Sequence, residues 1–184
     1  MMFIDIQPGD MGFDKGGGFV GWIIRHGTGS AYDHCFIYHE LMSTDKQGNQ
    51  VWKTVEAWPS LRKQKDGVRV RIRTADPSKV VRVWRTKNEQ SKILEKSLSM
   101  VGTKYGWGEI FRIALRFIGI KIRGWESERG AICSNHCAQS VLYARPELKA
   151  FFTYPPSFIW PGEVATCVDC VVWNQDRIQE RKRK

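Results

Sequence analysis

Apolar residues follow a period of two through much of the first half of the chain and a helical period through much of the second. A short apolar start runs into Pro8-Gly9-Asp10, and Met11-Gly12-Phe13 resumes it before Gly16-Gly17-Gly18, which reads as strand, turn and loop. Residues 19–25 predict a short helix with Phe19, Ile23 and Ile24 inward, ending at Gly27-Thr28-Gly29-Ser30. Residues 33–38 read as a strand, and a polar turn around Asp45-Lys46-Gln47-Gly48-Asn49 leads to a second strand over 51–58, giving an antiparallel hairpin. Val68, Val70 and Ile72 alternate with Arg69, Arg71 and Arg73, the signature of a strand with one wet face, and residues 80–84 predict a further strand.

Helical spacing then takes over. Asn88 or Ser91 is placed to cap a helix in which Ile93, Leu94, Leu98 and Val101 share a face, with Gly102 ending it. Residues 109–118 repeat the helical pattern, and residues 134–144 predict a third, amphipathic helix stopped by Arg145-Pro146. Pro155, Pro156 and Pro161 stiffen a loop before a last predicted strand over 164–173, and Arg181-Lys182-Arg183-Lys184 reads as a solvated tail. The expectation is a single α+β domain over residues 1–175 followed by a basic tail over 176–184, with a central antiparallel sheet or partial barrel packed against about three helices.

Composition narrows the function classes. With 184 residues, 42% of them hydrophobic, the chain can bury a core without metal or disulfides. Five cysteines without the dense spacing of a secreted scaffold fit a reducing compartment. The first residues show no basic region followed by a long apolar run, so the expectation is synthesis in the cytoplasm without a signal peptide. No apolar run approaches the ~18 residues of a membrane span; the closest, over 110–122, is broken by Arg112, Arg116 and Lys121. A net charge of +10 favours anionic partners without choosing among them.

The chemistry concentrates at Ile132-Cys133-Ser134-Asn135-His136-Cys137, where a strand-like or turn segment becomes a helix. The N–H groups of a helix's first turn stabilise a thiolate and can cradle an oxyanion, so Cys133 is a candidate nucleophile, although a free cysteine is more often a small core residue. It needs a base. His26 is expected in an exposed glycine-rich loop, His39 and His34 end and open one strand on opposite faces, and His136 is one helical turn from Cys133. A strand histidine facing the helix start is the layout that a Cys–His pair requires, which favours His34.

Pro8-Gly9-Asp10, Tyr32-Asp33-His34, Val55-Glu56-Ala57, Gly102-Thr103-Lys104-Tyr105-Gly106 and Ile132-Cys133-Ser134, in that order, resemble the circularly permuted NlpC/P60 papain-like superfamily, in which the histidine strand precedes the cysteine helix. The resemblance covers residues 7–173. It implies a papain-like α+β fold with Cys133 as nucleophile, His34 as general base and Glu56 orienting the imidazole. Tyr32 and Ser134 are expected beside the oxyanion or substrate. Permuted relatives often read Cys-Ser-Glu where this chain has Cys133-Ser134-Asn135, which removes a carboxylate.

That resemblance implies a cofactor-independent cysteine hydrolase acting on amide or peptide bonds of bacterial peptidoglycan. Without an export signal, such an enzyme is expected in a bacteriophage, either lytic or carried in the virion among phage structural proteins, with a cytoplasmic host enzyme as the alternative. The alternatives are a non-catalytic papain-like component of a phage tail and a fatty-acyl thioesterase or acyltransferase, with Trp107, Phe111, Trp125 and Trp160 as candidates to line an acyl groove. Cys133/His136 and Cys167/Cys170 have zinc-like spacing, but Cys167 also begins an apolar strand-like run, and no metal is expected. Cys35 and Cys137 read as core. The basic run over 62–87 has one aromatic, Trp84, and matches no nucleic-acid module, so no specific nucleic-acid partner is expected.

Overall fold

The computed structural model describes residues 5–15, 18–59, 66–76, 80–117, 119–120, 130–152, 159 and 161–166. In chain order it contains β1 (Met11–Asp14), α1 (Gly18–Thr28), β2 (His34–Thr44), β3 (Gln50–Trp58), β4 (Gly67–Thr74) and β5 (Val80–Val81), then α2 (Lys87–Ser99), α3 (Trp107–Phe117), α4 (Cys133–Ala144), a 3-10 helix (Pro146–Phe151) and α5 (Pro161–Thr166). The fold is α+β. Its strands form one sheet of order β4-β3-β2-β1-β5 with antiparallel pairing throughout.

Register assigns each strand residue to a face. Ile37 pairs with Val55, and Val55 with Val70, so these side chains and their alternate neighbours Cys35 and Ala57 point to the side on which α4 packs. There Cys35 and Ile37 join Met11, Phe13, Ile93, Cys133, Cys137 and Val141 in the main core. His34, Phe36 and Tyr38 of β2, with Trp52 and Glu56 of β3, point the opposite way. Phe36, Tyr38 and Trp52 form a T-shaped aromatic run with centroids 5.3 and 5.4 Å apart. A third cluster, with Ile24, Val68, Met100, Tyr105, Ile110 and Ile132, holds α1 and α3 together near one end of the sheet.

Pro8-Gly9-Asp10 has a structural explanation. Gly9 adopts a φ of 86° and donates its N–H to Tyr38 O at 2.7 Å. The buried Asp10 carboxylate accepts from Gln7 N at 2.9 Å and from Arg82 Nε and Nη2 at 2.8 and 2.7 Å. This fork is the satisfied geometry that a buried charge needs, and it fixes the turn into β1.

Several expectations from the pattern are corrected. Phe19 is 74% exposed, because α1 buries Ile24 and part of Val20 and Ile23 instead. On β4 the alternation is right but the wet side is the reverse of the intuitive one beyond Val68. Val70 and Ile72 are exposed, while Arg69, Arg71 and Arg73 fold over the other face toward Glu56 and Trp58. The cap of α2 is Thr86, which forms a reciprocal capping box with Glu89. The inward positions of α2 are Gln90, Ile93, Ser97 and Met100, whereas Leu98 and Val101 are exposed. The helix opened by Cys133 is buried on nearly every side rather than amphipathic, since it lies between the sheet and α2.

Only Val80 and Val81 of the stretch 80–84 pair as a strand. The expected last strand over 164–173 begins instead within α5, whose Pro161 occupies the first helical position; residues 167–173 lie outside the described residues, as do the tail and Trp125 and Trp160. Among the described residues no helix is long and apolar enough to cross a membrane.

Candidate active site

The approach to α4 is a close-packed backbone crossing. Tyr105 and Ala131 form an isolated parallel bridge, with Ala131 N donating to Lys104 O at 2.9 Å and Gly106 N to Ala131 O at 3.1 Å. A Cβ on Gly130 would lie 2.6 Å from Gly106 Cα, so the two glycines permit the approach. Ile132 then enters α4 with extended dihedrals and makes no side-chain cap, so its side chain does not occupy the N-terminal N–H groups as a serine or aspartate would.

This geometry brings Cys133 to the beginning of β2, where its Sγ lies 3.8 Å from Asp33 O. Cys133 and His34 line one cleft of about 110 Å³ together with Val20, Gly21, Ile24, Asp33, Trp58, Pro59 and Tyr105. The thiol and the imidazole meet around the end of the strand, which reconciles a histidine on one sheet face with a helix packed on the other. Beyond His34, Nε2 is 2.5 Å from Glu56 Oε2. Glu56 is fully buried and is held in turn by Arg73, whose Nη2 and Nε lie 2.8 and 3.2 Å from its two oxygens. Arg73 also pairs with Asp14.

The electrostatics of this row favour charge. Burial opposes a charged His34, but hydrogen bonding and attraction from Cys133 and Glu56 outweigh it and raise the imidazole from 6.5 to about 9. Burial likewise opposes ionisation of Glu56, yet His34 and Arg73 bring its carboxyl from 4.5 down to about 2. At Cys133 the largest influence is a hydrogen bond from Cys35, and with His34 it holds the thiol well below the ordinary range against the effect of burial. Burial, followed by the neighbouring Cys133 and Cys137, pushes Cys35 upward, so Cys35 stays protonated as the donor. The favoured state is a thiolate beside an imidazolium. With Glu56 on Nε2, Nδ1 is the nitrogen left to exchange a proton with sulfur.

No family model matches the chain, and a search of curated proteins finds no match.

The other sequence candidates fall elsewhere. Tyr32 packs its ring 5.4 Å from Phe13 and is not part of the cleft lining. Ser134 is fully buried, and its Oγ has no hydrogen-bond partner. His136 is buried with Nε2 3.0 Å from Ser97 Oγ, and burial lowers it to about 4, so it remains neutral and apart from the Cys133 pair. Asn135 accepts from Gln139 Nε2 at 2.7 Å. His26 occupies the exposed last turn of α1 rather than a loop. Cys35 and Cys137 are fully buried, as expected, but Cys35 also touches the chemistry. Among the described residues no group of three or more His, Cys, Asp or Glu is arranged to hold a metal ion; Cys167 and Cys170 lie outside them.

Sequence reasoning passed over Tyr105, Arg71 and Arg73. Tyr105 is buried in the cleft, and its hydroxyl is pushed upward by burial first and then by the negative charge of Cys133. It is therefore a neutral O–H group beside the thiolate. The signal was the glycine-flanked Tyr105-Gly106 segment, which stood among the quoted motifs without its tyrosine being singled out.

Proposed function

We propose that this protein is a cysteine hydrolase of amide or peptide bonds, with Cys133 as nucleophile, His34 as general base and acid, and Glu56 as the residue that orients His34. The observation that carries this reading is the continuous row from the Cys133 thiol through His34 to the buried Glu56, opening into a cleft at a helix N-terminus. Cys133 thiolate attacks the substrate carbonyl carbon, and the carbonyl π electrons move to oxygen. Backbone N–H groups of the first turn of α4 are placed to stabilise that oxyanion. His34 Nδ1–H protonates the departing amine, leaving an acyl-thioester. His34 then takes a proton from water, whose oxygen displaces the thiolate.

A permuted papain-like arrangement accommodates this chemistry, because the base strand β2 precedes the nucleophile helix α4 in the chain. The substrate we assign is the peptide portion of bacterial peptidoglycan, in keeping with the sequence resemblance, with a lytic or virion-associated role in a bacteriophage. A second reading, hydrolysis or transfer of a fatty-acyl group, draws on the apolar lining by Val20, Ile24, Trp58 and Pro59. Purified protein and its Cys133→Ala variant, incubated separately with peptidoglycan and with an acyl-thioester, separate the readings by mass spectrometry of the products. Peptide release by the wild type alone supports the first reading, and equal release by both proteins overturns it.

A further inference from the structure

Among the described residues, the arginine face of β4 carries more positive charge than the carboxylates paired with it neutralise. Arg69, Arg71 and Arg73 lie on one face of the strand, and the carboxylates paired there are Glu56 and Asp14. Arg73 is engaged by both acids. Arg71 reaches Glu56 only through Nε at 3.4 Å, and its Nη1 is buried with no hydrogen-bond partner. Arg69 faces Glu56 in register, yet its Nε is also buried without a partner. Leaving such donors unsatisfied is costly, and guanidinium N–H groups are suited to receive an oxyanion in a fork.

The position of Arg71 connects this face to the cleft. The guanidinium carbon of Arg71 sits 4.1 Å over the Trp58 ring, and Trp58 is one wall of the cleft that contains Cys133. The same indole meets His34 edge-on at 5.2 Å. An anion on Arg71 would thus lie one side chain away from the reacting pair. Burial, with repulsion from Arg73 and Arg69, already makes the cation of Arg71 less favourable despite Glu56, a strain that a bound carboxylate relieves.

We propose that Arg71, stacked against Trp58, and Arg69, beside it on the same face of β4, form an anion subsite that receives a carboxylate carried by the substrate near the bond cleaved at Cys133. The proposal deepens the hydrolase reading by assigning its substrates to acidic amides. It rests on that reading for the role of Cys133, but the charge preference can be measured separately from turnover.

The test uses two thiol reagents, N-iodoacetyl-β-alanine and its neutral carboxamide, and follows alkylation of Cys133 in the full chain by mass spectrometry. The acid-to-amide rate ratio cancels changes in thiol reactivity common to both reagents. In the wild type this ratio should exceed that of 2-mercaptoethanol by about tenfold, the scale of one charge-assisted hydrogen bond. It should fall most of the way back in Arg69→Gln/Arg71→Gln and remain intermediate in Arg71→Lys, which keeps the charge but loses the fork. A wild-type ratio equal to that of mercaptoethanol overturns the subsite without need of any variant, as does a raised ratio that survives in the double variant. The amide reagent alone tests the underlying reading: slow alkylation that rises only in the ordinary thiol range would sink the activated nucleophile, while the ratio would still report on the arginines.

Discussion

Replacing Glu56 by glutamine isolates what the buried carboxylate does for His34. Glutamine keeps nearly the same shape and can still accept from Nε2–H, so the principal change is the loss of a negative charge 2.5 Å from the ring. At an effective dielectric constant near 20 and a charge separation of about 4 Å, the Coulomb attraction is about 4 kcal/mol, an upper bound of about three pKa units. The net value of a charge-assisted hydrogen bond is about 1.5–3 kcal/mol, or about one to two units. Arg73 loses its main counter-charge in the variant and then opposes the imidazolium, shifting it in the same direction. The His34 titration midpoint should therefore fall from about 9 to about 7–8. Proton–carbon NMR of the histidine Cε1–H groups, assigned with a His34→Gln control, reads it directly. A midpoint that stays near 9, or rises, refutes the assigned electrostatics.

Glu56 should also shape acid unfolding. Its folded value of about 2 lies below the ordinary 4.5, so its contribution to stability is present above pH 4.5 and is lost as pH falls through about 2. Melting temperature against pH should decline less steeply over that window in Glu56→Gln, and equal slopes would count against the ion pair. Ile72→Thr should change stability by less than about 0.5 kcal/mol, because Ile72 is 61% exposed. Trp52→Ala, on the opposite face of the sheet, should cost about 3–5 kcal/mol; denaturant titration of both variants checks which side of the β3–β4 pair is covered at Trp52 and Ile72. Thr86→Ala should cost about 1 kcal/mol through loss of the α2 cap, and a neutral result in the same titration would contradict the capping box.

The legible parts of the molecule were those in which local chemistry and global packing agree. The hairpin was marked by alternation and the Asp45–Asn49 turn, and the start of α4 by the passage from Ile132 into a helical run. His34 was reached as a strand histidine facing a helix start, and Glu56 through the resemblance to the permuted NlpC/P60 superfamily; the structure puts His34 in the cleft with Cys133, and Glu56 behind it. Hydrophobicity misled where polar groups had stronger reasons to be inside. On α2, Ser97 is buried because it partners His136, so the inward stripe runs through Ser97 rather than Leu98. On β4, Glu56 draws two arginines across the sheet, which leaves Val70 and Ile72 outside. Neither partner is visible from spacing within one element, because the pairs are 39 and 17 residues apart.

The meeting of Cys133 with the end of β2 spans 100 positions of chain. A ribosome therefore releases the imidazole strand and its carboxylate well before the thiol, and the thiol acquires its unusual acidity only when α4 docks. Until then Cys133 has the reactivity of any peptide cysteine. Closure of so long a loop must be offset by the core contacts of α4, which ties chemical competence to completion of the fold. Alkylation at mildly acidic pH would thus serve as a clock for the final stage of folding.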